Sequence, residues 1–90
     1  MVEVTAMLKS RYGIHARPAR EIYLSSKLFK DTQVYLIDPD TGDIFNTNNI
    51  LNILQLIKIC GDPIIIRTIG GEESKAAEYI ASVISEYDIV

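Results

Sequence analysis

Residues 2–8, VEVTAML, set Val2, Val4, Ala6 and Leu8 against Glu3, Thr5 and Met7. Strict alternation puts one side of an extended chain into a core and the other into water, so the segment predicts a half-buried strand. A loop covers 9–14. From Ala16 to about Phe29, the apolar or small residues Ala19, Ile22, Tyr23, Ser26 and Phe29 recur at helical spacing. Pro18 then falls in the first turn, where its missing N–H costs nothing. TQVYLI (32–37) predicts a second strand, DPDTGD (38–43) a turn and DIFN (43–46) a short third strand, so the pair predicts a hairpin. Residues 47–59 open with Thr47, Asn48 and Asn49 as N-cap material and place Ile50, Ile53, Leu54 and Ile57 on helical spacing. After the turn at Gly61 and Asp62, PIIIRTI (63–69) predicts the fourth strand. Gly70 and Gly71 break it, and Glu72 and Glu73 open a last helix, where acids suit the positive end of the dipole. Its apolar face is Ala76, Ala77, Ile80, Val83, Ile84 and Tyr87.

The resulting order is β-α-β-β-α-β-α. Three amphipathic helices can bury their stripes on one face of a sheet, and the hairpin favours an antiparallel one, so the fold class is α+β. The pattern alone fits several small sandwiches, ferredoxin-like ligand-binding modules among them.

Ninety residues predict a single domain over 1–90, with a modest core fed by 48% apolar residues. No apolar run approaches the ~20 residues of a membrane span, and the first ten residues lack the pattern of a signal peptide. Cys60 is the only cysteine and His15 the only histidine, which leaves no internal disulfide and no material for a metal site. A cytoplasmic protein without cofactor is expected. Cys60 reads as a packed small hydrophobe, and the five tyrosines as packing residues. The net charge of −3 speaks against nucleic acid as a partner. Its distribution adds more. Lys9, Arg11, Arg17, Arg20, Lys27 and Lys30 face one acid, Glu21, between 9 and 30, whereas the rest holds three basic and eleven acidic residues. A positive field therefore surrounds the histidine, suited to an anion or an acidic partner.

The string YGIHARPAR (12–20) carries the chemistry. Pro18 belongs in a helix's first turn, which puts His15 at or beside the N-cap and Arg17 in that turn. The backbone N–H groups there, those of Ala16 and Arg17 among them, are an anion site, and Gly13 lets the loop turn the ring towards them. An imidazole with a pKa of about 6.5 is largely neutral at pH 7, and the positive helix end favours that form. Its free nitrogen can take a phosphoryl group, and Arg17 can then hold the dianion with charge-assisted bonds of roughly 1.5–3 kcal/mol each. Such bonds retain a phosphate briefly without trapping it. On spacing alone a plain helix cap is the simpler reading.

GIHARPA (13–19) resembles the active-site signature of the HPr family, the histidine-containing phosphocarriers of the bacterial phosphoenolpyruvate-dependent sugar phosphotransferase system, with Ile14 in place of the usual Leu. SSKLF (25–29) and CGDPIIIRTIGGEE (60–73) are similar to further family passages, so the resemblance spans the chain, strongest at 13–29 and weakest at 38–60. It implies an open-faced sandwich, a four-stranded antiparallel sheet covered on one face by three helices. It implies that His15 accepts a phosphoryl group on Nδ1 from phosphorylated enzyme I and passes it to IIA domains, with Arg17 contacting the phosphate and Pro18 starting the helix. The chain would then be a relay intermediate without turnover of its own, and a monomer is expected.

Some residues depart from the family pattern. Arg11 and Tyr12 stand where a polar, Pro-containing loop is usual, and the TGDIFN hairpin is about three residues longer. Counting back from Gly61, the serine that HPr kinase phosphorylates in many relatives falls on Asn49, so seryl regulation is expected to be absent, with Thr47 a substitute candidate. In the family, apolar residues at the start of the second helix dock enzyme I and IIA domains. The expectation is that Ile50, Leu51 and Leu54 lean outward, ringed by Arg17, Arg20 and Lys27, while Ile53, Leu56 or Ile57 face the core. Two other readings remain open. One is a regulatory protein of the same fold in a truncated or nitrogen-type relay, signalling to regulators without sugar transport. The other is a small-molecule-sensing sandwich, which would leave the His-Ala-Arg-Pro string unexplained.

Overall fold

The N-terminal alternation forms β1, Val2–Met7, which pairs antiparallel with β4, Pro63–Gly70, in the register Val4 to Ile66 and Ala6 to Ile64. The computed structural model describes residues 1–9, 16–56 and 61–86. β4 in turn pairs with β2, Thr32–Ile37, and β2 with β3, Ile44–Asn46, giving one antiparallel sheet in the order β1-β4-β2-β3. The helices are α1, Ala16–Ser26, α2, Ile50–Leu54, and α3, Glu73–Glu86, so the expected β-α-β-β-α-β-α order is observed.

The two-residue period decides which face is covered. Val4, Ile66, Leu36 and Phe45 stand opposite one another across all four strands, and Ile66 and Leu36 are fully buried. Each such side chain contributes about 1.5–3 kcal/mol on burial. One residue further along each strand, Glu3, Arg67, Tyr35 and Asn46 form the next row, on the open face, where the Arg67 guanidinium bridges to the Glu3 carboxylate. α3 lies along β1, β4 and β2 and inserts Ala76, Ala77, Ile80 and Ile84 into the core. α1 rests against α3 and α2 and adds Ala19, Ile22 and, just past its end, Phe29.

Two helices are shorter than their spacing predicts. α1 ends at Ser26 instead of Phe29, because Leu28 and Phe29 donate three residues back, to Ser25 and Ser26 O. Phe29 stays buried because that tight turn keeps it in phase with the helix. α2 begins at Ile50 rather than 47. Thr47 N–H and Oγ1 both donate to Val34 O, and Asn48 N–H donates to Asn46 Oδ1, which keeps 46–48 out of the helix. Its end tightens likewise, Gln55 and Leu56 donating to Asn52 and Ile53 O. Residues 57–59, to which the spacing extends this helix, lie outside the described residues, Ile57 among them, as does Cys60.

The backbone requires glycine at Gly42 and Gly70 for different reasons. Gly42, at φ +79°, closes the β2–β3 connection, its N–H donating to Asp38 O at 2.7 Å. Gly70 has φ +146°, and a Cβ there would collide with the carbonyl oxygen of Asp31 and stand 2.7 Å from Thr32 Cα. The start of β2 can therefore pass this close to β4 only over a residue without a side chain.

Candidate functional site

The surface around the start of α1 is built from three sequence features: a proline that can only begin a helix, outward cations, and a short capped α2 beside it. Pro18 is buried in the first turn of α1, and Arg17 and Arg20 are exposed. No acidic residue occupies that turn, so nothing within the helix offsets its positive end. Ala16 is the first helical residue. His15 precedes it directly and lies outside the described residues, as do Arg11, Tyr12 and Gly13.

Lys27 is exposed beyond the last turn, its ammonium 4.6 Å from the centre of the Tyr23 ring. That contact places a cation on the side of α1 that faces the connection into α2. Arg17, Arg20 and Lys27 form no ion pair among the described residues. Their charge is therefore open to solvent or to a ligand.

α2 supplies the apolar part. Asn49 is its N-cap, in extended conformation, and its side-chain oxygen accepts from Leu51 N–H at 2.8 Å. This fixes which way the short helix turns. Ile53 and Leu56 go into the core, at 0% and 1% exposed, while Leu51 and Leu54 point outward at 66% and 36%. Ile50 departs from expectation. It is half-buried and packs against the core, because the first turn of so short a helix lies close to β3. The outward apolar pair is thus Leu51 and Leu54.

Leu24 and Leu28, 42% and 61% exposed, add outward apolar area on α1 and just past its end and were not anticipated. A signal was available. Arg20, Leu24 and Leu28 are spaced by four, on the stripe opposite Ala19, Ile22 and Phe29, and apolar residues there cannot be core. Thr47 is 2% exposed and its hydroxyl is committed to Val34 O at 3.0 Å, so it presents no free hydroxyl to a modifying enzyme. Among the described residues no cluster of His, Cys, Asp or Glu could hold a metal ion, and no helix is long and apolar enough to cross a membrane.

Fold and surface together define an open-faced α+β sandwich whose α1 start is basic and whose α1–α2 edge is apolar. Residues 2–86 match the family model of the HPr component of the phosphotransferase system, described as its phosphorylation site. The chain is 30% identical to the phosphocarrier protein HPr of Mycoplasma pneumoniae over the full length of both. It also resembles a crystal structure of HPr-C-His from Thermoanaerobacter tengcongensis, at 26% identity and TM-score 0.83, covering 93% of this chain and 91% of that one. A phosphocarrier HPr from Bacillus anthracis shares the fold at TM-score 0.84 and 24% identity, covering 93% and 96%. The chain belongs to the HPr family. That family is one of phosphocarriers of the phosphotransferase system, which makes the chain's part in that system carriage of a phosphoryl group.

Proposed function

We propose that His15 is the phosphoryl acceptor of this chain. It takes the group from phosphorylated enzyme I and yields it to IIA domains. In the first step the donor's bond to phosphorus breaks as a bond from His15 Nδ1 to phosphorus forms. The second step repeats this with His15 as donor. The observation that carries the reading is the first turn of α1: Arg17 exposed and unpaired among the described residues, Pro18 buried, and no acid present, directly after the histidine. N–H groups of Ala16 and Arg17 would meet the phosphate, and Arg17 would add charge-assisted hydrogen bonds.

Arg20, Lys27, Leu51 and Leu54 would form the docking surface, with Ile50 supporting it from beneath and Leu24 extending it. A transient partner fits such a surface, apolar at its centre and cationic at its rim. The chain would act as one monomeric cytoplasmic domain over 1–90.

Seryl regulation by HPr kinase would be absent. The α2 N-cap is Asn49, which has no hydroxyl, and Thr47 is buried. Incubation with HPr kinase and ATP should then leave the chain unmodified.

The decisive experiment is incubation with phosphoenolpyruvate and a competent enzyme I. An acid-labile, base-stable phosphate on His15 is expected, absent in His15→Ala. No incorporation would overturn the proposal.

A further inference from the structure

A cavity of about 310 Å³ opens where the end of α1 meets the start of β2 and the β3–α2 connection. It stands at the other end of α1 from Arg17. Its floor is made of groups whose hydrogen bonds are already satisfied: Thr47 Oγ1 donates to Val34 O, and Asn46 Oδ1 accepts from Asn48 N–H. The rim differs. Lys30 and the carboxamides of Gln33 and Asn48 make no side-chain hydrogen bond or ion pair among the described residues. The Lys27 ammonium is held over the Tyr23 ring, a contact that leaves its N–H donors unused. Among the described residues no carboxylate lines the cavity, in a chain with 12 acidic residues.

Lysines near a helix end commonly bind its last carbonyls. Neither ammonium does so here among the described residues, so capping does not account for the pair. Both lysines belong to the lining, so an anion in the concavity meets two cationic side chains. Ammonium groups suit phosphate or carboxylate oxygens as compact charges, and the two carboxamides can donate to whatever oxygens remain. The volume lies at the small end of ligand pockets.

We propose that this cavity binds a small organic dianion of a few carbons, a phosphate ester or a dicarboxylate. The site is independent of His15 and of the docking surface, apart from Lys27, which borders both.

The ¹⁵N-labelled chain would be titrated by NMR with glycerol 3-phosphate, succinate and inorganic phosphate, and with glycerol and NaCl as controls. The expected result is saturable shifts at Lys27, Lys30, Gln33 and Asn48 with glycerol 3-phosphate or succinate, at a Kd below about 1 mM. The preferred probe of the two separates a phosphate ester from a dicarboxylate. Lys30→Gln and Gln33→Leu, both at exposed positions, should weaken binding, the first about tenfold. Four results would overturn the proposal: no saturable shift with either probe, the same shifts from NaCl at equal ionic strength, shifts centred on Arg17 instead, or Lys30→Gln titrating like the parent chain. Inorganic phosphate binding as tightly as glycerol 3-phosphate would overturn the assignment to an organic ligand.

Discussion

α3 lies along three strands, buries four apolar residues, and has its first turn tied down. Thr68 Oγ1 donates to Glu73 O at 2.6 Å, Glu72 N–H donates to Thr32 Oγ1 at 3.0 Å, and the Glu73 carboxylate meets the Met1 ammonium. α1 rests on other helices, and its outward stripe holds cations without ion-pair partners and the exposed Leu24 and Leu28. Both helices are amphipathic, and both fill the same core. The difference lies in the outward face. On α3 the Glu73 carboxylate at its start is committed within the molecule, whereas the cations on α1 have no ion-pair partner among the described residues. Unpaired charge and exposed leucine do little for stability, which leaves that face available for the docking role proposed above.

The comparison breaks most severely if α3 proves dispensable. Ile80 is fully buried, so Ile80→Ala should cost about 2–5 kcal/mol by urea unfolding. Phosphoryl acceptance per folded molecule should stay unchanged. The mirror-image variant is Arg17→Gln. It removes a charge that no described residue pairs with, so the thermal midpoint should hold. Phosphoryl transfer from enzyme I should slow by about ten- to a hundredfold, the loss of one charge-assisted bond in the transition state. An Arg17→Gln chain that unfolds early but transfers normally would reverse the assignment of roles. Next in size, Leu51→Ser with Leu54→Ser should raise the KM for enzyme I about five- to tenfold, with stability little altered, because both side chains already face water.

How much of this contrast the chain announces in advance depends on how local its causes are. β2 falls on the predicted residues 32–37, and β4 extends one residue past its predicted end, because alternation and bounding turns are properties of neighbouring residues. The buried face of α3 is equally legible, with Ala76, Ala77, Ile80 and Ile84 where helical spacing puts them. α2 is not. Its first residue depends on Thr47 reaching Val34, thirteen positions away, and no local pattern encodes that bond. Ile50 is covered against expectation for the same reason: with apolar residues on every side of a short helix, only tertiary contact decides which are covered. Leu24 and Leu28 are legible as outward from their spacing, but periodicity alone does not say whether an outward leucine serves a surface. The His-Ala-Arg-Pro string was legible as chemistry, because a proline fixes where the helix starts and so where the adjacent N–H groups point.

The smallest expected effect tests the committed side of the contrast. The Met1 ammonium, 2.9 Å from Glu73 Oε2, and then the Gly70 N–H hold the Glu73 carboxyl below its ordinary value of 4.5. The unfolded chain lacks both partners and therefore binds this proton more readily. The resulting stabilisation is complete above the unfolded-state value and is lost as pH falls through the lower folded-state value. Glu73→Gln should accordingly be slightly less stable than the parent chain at neutral pH. The gap should close as pH drops below about 4.5, where the parent carboxyl protonates and loses its charge. Urea midpoints of both chains over a pH series read this directly. A gap that persists unchanged into acid would mean that the ammonium and the Gly70 N–H contribute nothing through charge. The start of α3 would then be held by its uncharged bonds alone, and the two helix starts would differ in packing rather than in how they use their ionic groups.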